Sequence, residues 1–168
     1  MNPGSSAAAQ LIGDGTIWFP DSESLYGAIL SDPHSQYVFC DEIHNCAAIG
    51  GNLTDGKGRP HIFGAHLADG VMERQVQNII GELKAHGLKP GKAVYSPQER
   101  TASWEHAKDV LEDYFPEVET VVRGRETSAE MIVGAEGALL NGTTYDLHHG
   151  GWLARGYRRL FSNRDFKA

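Results

Sequence analysis

"HIFGAHLADGVMERQVQNIIGELKAHGLKPGKAVYS", residues 61–96, decides the fold. It opens with an apolar strand-like run and passes through a short polar link into a segment of helical period. Val76, Ile79, Ile80 and Leu83 occupy the i, i+3, i+4, i+7 positions that place apolar side chains on one helix face. Gly87 fits a left-handed C-terminal cap, and Pro90 follows the end. "KAVYS" (92–96) is again strand-like. A strand, a helix and a strand in succession give the chain its α/β character.

Working outward, "TIWF" (16–19) and "QYVFC" (36–40) read as strands, being rich in β-branched and aromatic residues. "DSESLYGAIL" (21–30) reads as a helix, with Asp21 or Ser22 as N-cap and Leu25, Ala28 and Ile29 on one side. "SDPHS" (31–35) stops it. "CAAIGG" (46–51) opens either a helix or a second strand, because its residues are small and favour neither. "NLTDGKGRP" (52–60) is turn-rich, with Asp55-Gly56 as the hairpin tip before the returning strand "HIFGAHL". Downstream, "SWEHAKDVLEDYFP" (103–116) predicts a second helix carrying Trp104, Ala107, Leu111 and Tyr114 on one face, stopped by Pro116. "VETVVR" (118–123) predicts a strand. "EMIVGAEGALLNGTTYDL" (130–147) predicts strands closed by a hairpin at Asn141-Gly142. The expected architecture is α/β (α+β): one domain over 15–168, a mixed β-sheet packed by two to three helices. Residues 1–14, beginning "MNPGSSAAAQ", read as a disordered leader or linker.

The 168 residues suffice for one domain with a full core. A net charge of −7 argues against a dedicated nucleic-acid binder, which would present a basic face. The one basic cluster, "ARGYRRLFSNRDFK" (154–167), is short and reads as a solvated tail. No run of about 18 apolar residues predicts a membrane span. Two cysteines make no disulfide framework, and both are expected as free thiols.

Cys46 is the residue of chemical interest. It lies between the polar pair His44-Asn45 and the small run Ala47-Ala48-Ile49-Gly50-Gly51. A thiol becomes a nucleophile when ionised, which an imidazolium or a helix N-terminus favours. If "CAAIGG" opened a helix, its first N–H groups would face the sulfur and could hold an oxyanion. The base must come from elsewhere. His66, at the end of the strand "HIFGAHL" and just before a helix, is the choice. His61 is five residues away on that strand and faces the other side if the strand is regular. Cys40, in an apolar strand, reads as core. Set against this is the plainer reading of Cys46 as a small buried residue, since free cysteine is among the most buried residue types. His44, His61 and the pair His148-His149 read as structural or surface residues.

The order of these features resembles the CheD-type glutamine deamidases and, by active site, the catalytic domains of the cytotoxic necrotizing factors. "HNCAAIGG" stands where that family has a Gly-Ser-Cys or Ser-Gly-Cys turn followed by small apolar residues, and His66 of "FGAHLADG" matches its histidine. "ERQVQNIIGELKAHG" and "KAVYS" resemble its helix and strand. The resemblance spans roughly residues 36–125. His44-Asn45 replaces the family's small pair, and Cys40 lies in the region of its threonine. The resemblance implies hydrolysis of a glutamine carboxamide on a partner protein by Cys46 and His66. It implies no cofactor, no metal and no nucleic acid. Asn45, Ala47, Asn52, Thr54 and Gln98 are the candidates for oxyanion donor or third member. A toxin or effector domain, acting in the cytoplasm or secreted into a target cell, is the expected setting.

Two other readings remain open on the residues alone. One is a non-enzymatic α/β protein-binding module with an acidic face. The other is a zinc-dependent hydrolase using His44, Cys46, His61 and His66, which are zinc-ligand types in an unfamiliar spacing.

Overall fold

The computed structural model describes residues 10–11, 16–20, 25–31, 37–125 and 127–147. The pair His148-His149, the basic stretch 154–167, residues 1–9 and residues 21–24 lie outside these. The strands in chain order are β1 (Gln10–Leu11), β2 (Ile17–Pro20), β3 (Leu25–Leu30), β4 (Val38–Ile43), β5 (Ala47–Thr54) and β6 (Pro60–Leu67). Then come α1 (Met72–Ala85), β7 (Lys89–Ser96), α2 (Trp104–Tyr114), β8 (Glu117–Thr120), β9 (Ala129–Val133), β10 (Gly137–Leu140) and β11 (Thr143–Asp146).

Two sheets form. One has six strands in the order β2-β3-β6-β5-β7-β8, and the other five in the order β1-β4-β9-β10-β11. Among the described residues all strand pairings are antiparallel except that of β7 with β8, which α2 joins as a parallel crossover. The helices cover one face of the six-stranded sheet, and the five-stranded sheet covers the other. Each layer boundary is a core. Met72, Val76, Ile79 and Leu83 of α1 and Ala107 and Leu111 of α2 pack on Ile49, Leu53, Phe63, Leu67 and Tyr95. Between the sheets lie Val38, Cys40, Ile43, Ala48, Ile62, Val94, Met131 and Val133. The central strands are thus apolar on both faces, as strands covered on both sides must be.

The two sheets approach most closely over glycines of the six-stranded sheet. A methyl group at Gly50 would collide with Val133 Cγ2, and one at Gly64 would lie 2.6 Å from Val38 Cγ1. The small residues after Cys46 therefore have a packing reason: they let the second sheet close down.

α1 ends as the sequence predicts. Gly87, at φ +64°, donates to Lys84 O, and Leu88 donates to Leu83 O, which closes a Schellman motif. The hairpin at Asn141-Gly142 joins β10 to β11 with both residues at positive φ. At the β5–β6 tip, Asp55 accepts from the N–H groups of Lys57 at 2.8 Å and Arg59 at 3.0 Å.

One expectation is corrected, and the open reading of "CAAIGG" is resolved. Residues 25–30 form strand β3, an inner strand between β2 and β6, instead of the end of a helix. Tyr26, Ala28, Ile29 and Leu30 are all buried, with Ile29 in the helix-side core and Leu30 between the sheets. A short run buried all round satisfies helical spacing by accident. "CAAIGG" belongs to a strand, since β5 begins at Ala47. Among the described residues there are two helices, and Gln10–Leu11, inside the stretch read as a leader, pair with β4.

Candidate functional site

Cys46 stands one residue before the first ladder pair of β5, at the end of a bend over residues 44–46 that carries the chain from one sheet to the other. His44 and Asn45 on that bend are exposed, and Cys46 is half-buried. Alternation along β5 sends Ala47 and Ile49 toward the helices and Ala48 toward the second sheet. Cys46 shares the side of Ala48 and packs against the inter-sheet core.

The ladders define its neighbours. Ala48 is paired with His66 of β6 on one side and Ser96 of β7 on the other. His66 is therefore on the same face as Cys46, one diagonal step away, a separation of roughly 7–8 Å that long side chains bridge. His66 is 8% exposed, at the mouth of the inter-sheet space. Gln98, two residues beyond Ser96, comes to the same end of the sheet. It is buried, its Nε2 donates to Arg125 O, and its Oε1 has no protein partner. Three sequence-separated residues, Cys46, His66 and Gln98, thus gather at one end of the sandwich.

The loops there are tied together. Thr101 Oγ1 donates to Asn45 O at 2.9 Å. The N–H of Ala102 donates to Asp69 Oδ1 at 3.0 Å, and that of Ala68 to Gln75 Oε1 at 2.7 Å. The segments following β6 and β7 are in this way fixed to the bend that carries Cys46.

Arg123 completes the arrangement. It is 5% exposed and comes from the segment just after β8. Its Nη1 donates to the carbonyls of Ile43 at 2.9 Å, Thr127 at 2.7 Å and His44 at 3.3 Å, and its Nη2 to those of Cys46 and Ser96. Its Nε is buried without a partner among the described residues. Burial pulls the guanidinium below its ordinary pKa, and the nearby Cys46 side chain acts in the opposite direction. Sequence reading missed Arg123 and Thr101. The only trace was a charged residue ending the β-branched run "TVV" in "TVVRG".

Other sequence candidates fall elsewhere. Ala47 is buried against the helix-side core, so only its backbone is available to a site. Asn52 is six residues along β5, roughly 20 Å from Cys46 at the rise of a strand. Its Oδ1 accepts from the N–H of Lys92 at 2.7 Å. Thr54 is farther still, at the hairpin end. Neither reaches Cys46. His61 lies 3.4 Å from Asp55 Oδ2 at the far end of β6 and on the opposite face from His66. His61 is thus held away from Cys46 and His66, so the four residues His44, Cys46, His61 and His66 do not form one cluster. Of the two readings of "CAAIGG" the strand is the one formed, so the residues after Cys46 do not supply a helix N-terminus: a strand's N–H groups turn sideways into its ladders.

Cys40 and Cys46 are both free thiols. Cys40 is fully buried between the sheets, where desolvation, helped by the charge of Asp41, pushes its pKa up to about 12. No described helix is long and apolar enough to cross a membrane. No family model, curated protein or solved structure matches the chain.

Proposed function

We propose that this protein is a cysteine-dependent amidohydrolase that converts a glutamine side chain of a partner protein to glutamate. The observation that carries the reading is the β5–β6 register, which pairs Ala48 with His66 and so sets His66 on the side of the sheet against which Cys46 packs. In the proposed cycle the Cys46 S–H passes its proton to His66. The thiolate attacks the carboxamide carbon, giving a tetrahedral oxyanion held by backbone N–H groups at the Cys46 bend. Collapse breaks the C–N bond as the His66 imidazolium protonates the leaving ammonia. His66 then takes a proton from water, hydroxide attacks the thioester, and the carboxylate departs as the thiol is restored. Water is consumed and ammonia is released. The product carries one more negative charge than the substrate, a change that suits an effector or toxin acting on a signalling protein.

The test is alkylation of Cys46 by iodoacetamide across pH 5–9, mapped by mass spectrometry, in wild type and His66→Ala. A thiolate–imidazolium couple makes Cys46 react fast below pH 7 and slows it about tenfold or more at that pH when His66 is removed. A wild-type profile that rises only as the pH nears 8.5, the range of an ordinary thiol, and is indifferent to His66 overturns the reading.

A further inference from the structure

We infer that Arg123 is a positioning residue for Cys46: it locks the bend that presents the thiol and supplies the fixed positive charge beneath it. The inference rests on the amidohydrolase reading of Cys46 and His66.

The geometry is unusual for an arginine. A buried guanidinium ordinarily meets a carboxylate, because removing a cation from water is costly unless it is paired. Among the described residues Arg123 has no carboxylate partner. Five carbonyl oxygens surround it instead, and three of them, those of Ile43, His44 and Cys46, belong to the four residues that carry the chain from β4 into β5. Carbonyl dipoles satisfy its Nη groups, and no carboxylate among the described residues cancels its charge. Near this end of the elements that meet here, the charged and titratable groups are Asp41 and Glu42 on β4, His44 and Cys46 on the bend, His66 on β6, Asp69 in the loop after it, Glu99 and Arg100 after β7, Glu119 on β8, and Arg123 and Arg125 after it. Glu99 and Arg125 pair with each other at 2.8 Å, and Asp69 is engaged by the N–H of Ala102. Arg123 is therefore the one buried, unneutralised cation among them.

This replaces what the fold omits. Thiolates are favoured by a helix N-terminus or by a nearby cation. Cys46 leads into a strand, so its own element offers no helix N-terminus, and Arg123 supplies the cation. When the Cys46 proton moves to His66, the thiolate forms beside a guanidinium that keeps all its own protons.

The experiment compares the pH profile of Cys46 alkylation in wild type, Arg123→Lys and Arg123→Gln, each checked for folding by circular dichroism. The charge-keeping lysine is expected to retain most of the low-pH reactivity. The neutral glutamine is expected to move the half-maximal pH upward by about one unit, a tenfold loss of rate on the low-pH side. A purely structural Arg123 would leave the profile of folded Arg123→Gln in place, and that result overturns the inference. If wild type is fast and His66-dependent but Arg123→Gln matches it, only the role of Arg123 fails. If wild type itself behaves as an ordinary thiol, the amidohydrolase reading fails first. Should Arg123→Gln not fold, the Tm of His66→Ala is compared with that of His66→Ala/Cys46→Ala between pH 6 and 9. A Tm difference that grows in favour of the thiol-bearing chain supports the charge interaction, and a constant difference overturns it.

Discussion

The side chain of Arg123 donates to the main-chain carbonyl of Cys46, joining residues 77 positions apart. The same guanidinium holds the end of β4 through Ile43 O and the end of β7 through Ser96 O. One side chain therefore fixes the bend between the two sheets. Hydrogen bonds to a charged group contribute roughly 1.5–3 kcal/mol each, and their removal leaves buried carbonyls unsatisfied. Arg123→Met should lower stability by about 3 kcal/mol or more in urea denaturation. A loss below about 1 kcal/mol would mean that water replaces the guanidinium without penalty.

The two thiols should separate cleanly by reactivity. Cys40 is fully buried, and its pKa is pushed up to about 12 by desolvation and by Asp41. In the folded protein it should stay unlabelled by iodoacetamide through pH 9, whereas half-buried Cys46 is modified. Labelling both in denaturant is the control. Modification of Cys40 in the native state at a rate near that of Cys46 would show that the inter-sheet core opens readily.

Gly50 sets the spacing of the sheets. Gly50→Ala places a methyl group against Val133, a stiff β-branched side chain in a full core, with Met131 Sδ 3.3 Å away. Overpacking of this kind costs about 1–3 kcal/mol. Gly81, in α1, has open space around the same position, so Gly81→Ala should stabilise by about 1 kcal/mol through helix propensity. Opposite shifts of the denaturation midpoint for the two variants are expected. Equal shifts would contradict the packing assigned to Gly50.

Asp55 should make the β5–β6 hairpin acid-sensitive. The N–H of Arg59, its guanidinium, the N–H of Lys57 and His61 all favour the ionised carboxyl and hold its pKa well below the usual carboxylate range. A depressed folded-state value contributes stability that is present above the unfolded value, about 3.9, and lost as pH falls through the folded one. Asp55→Ala should therefore lower Tm at pH 7, and the gap to wild type should narrow steadily below about pH 4. A gap that is the same at pH 7 and pH 2.5 would assign the effect to the turn geometry alone.

The long helices were readable because their apolar residues repeat with a period that only one structure satisfies. Val76, Ile79 and Leu83 are buried as spaced, and Gly87 ends α1 as its freedom at positive φ allows. The hairpins at Asp55 and Asn141-Gly142 were readable for a similar local reason: those residues accept conformations that few others do. "LYGAIL" was misread because a strand covered on both faces loses the alternation that identifies it. "CAAIGG" was ambiguous because alanine and glycine record the tightness of a site more strongly than its secondary structure.

Sequence alone determined the strand–helix–strand run over residues 61–96, the free thiols, and Cys46 with His66 as the residue types able to do thiol chemistry. Local periodicity and side-chain chemistry suffice for those. The tertiary structure decided which histidine lies on the side of the sheet where Cys46 packs, because a one-residue change of register would send His66 to the other face. It also separated Asn52, Thr54 and His61 from the site, since a strand of eight residues holds its two ends far apart. And it brought in Arg123, whose partners on the bend are 77 to 80 positions away in the chain and whose buried charge has meaning only once the two sheets close around it.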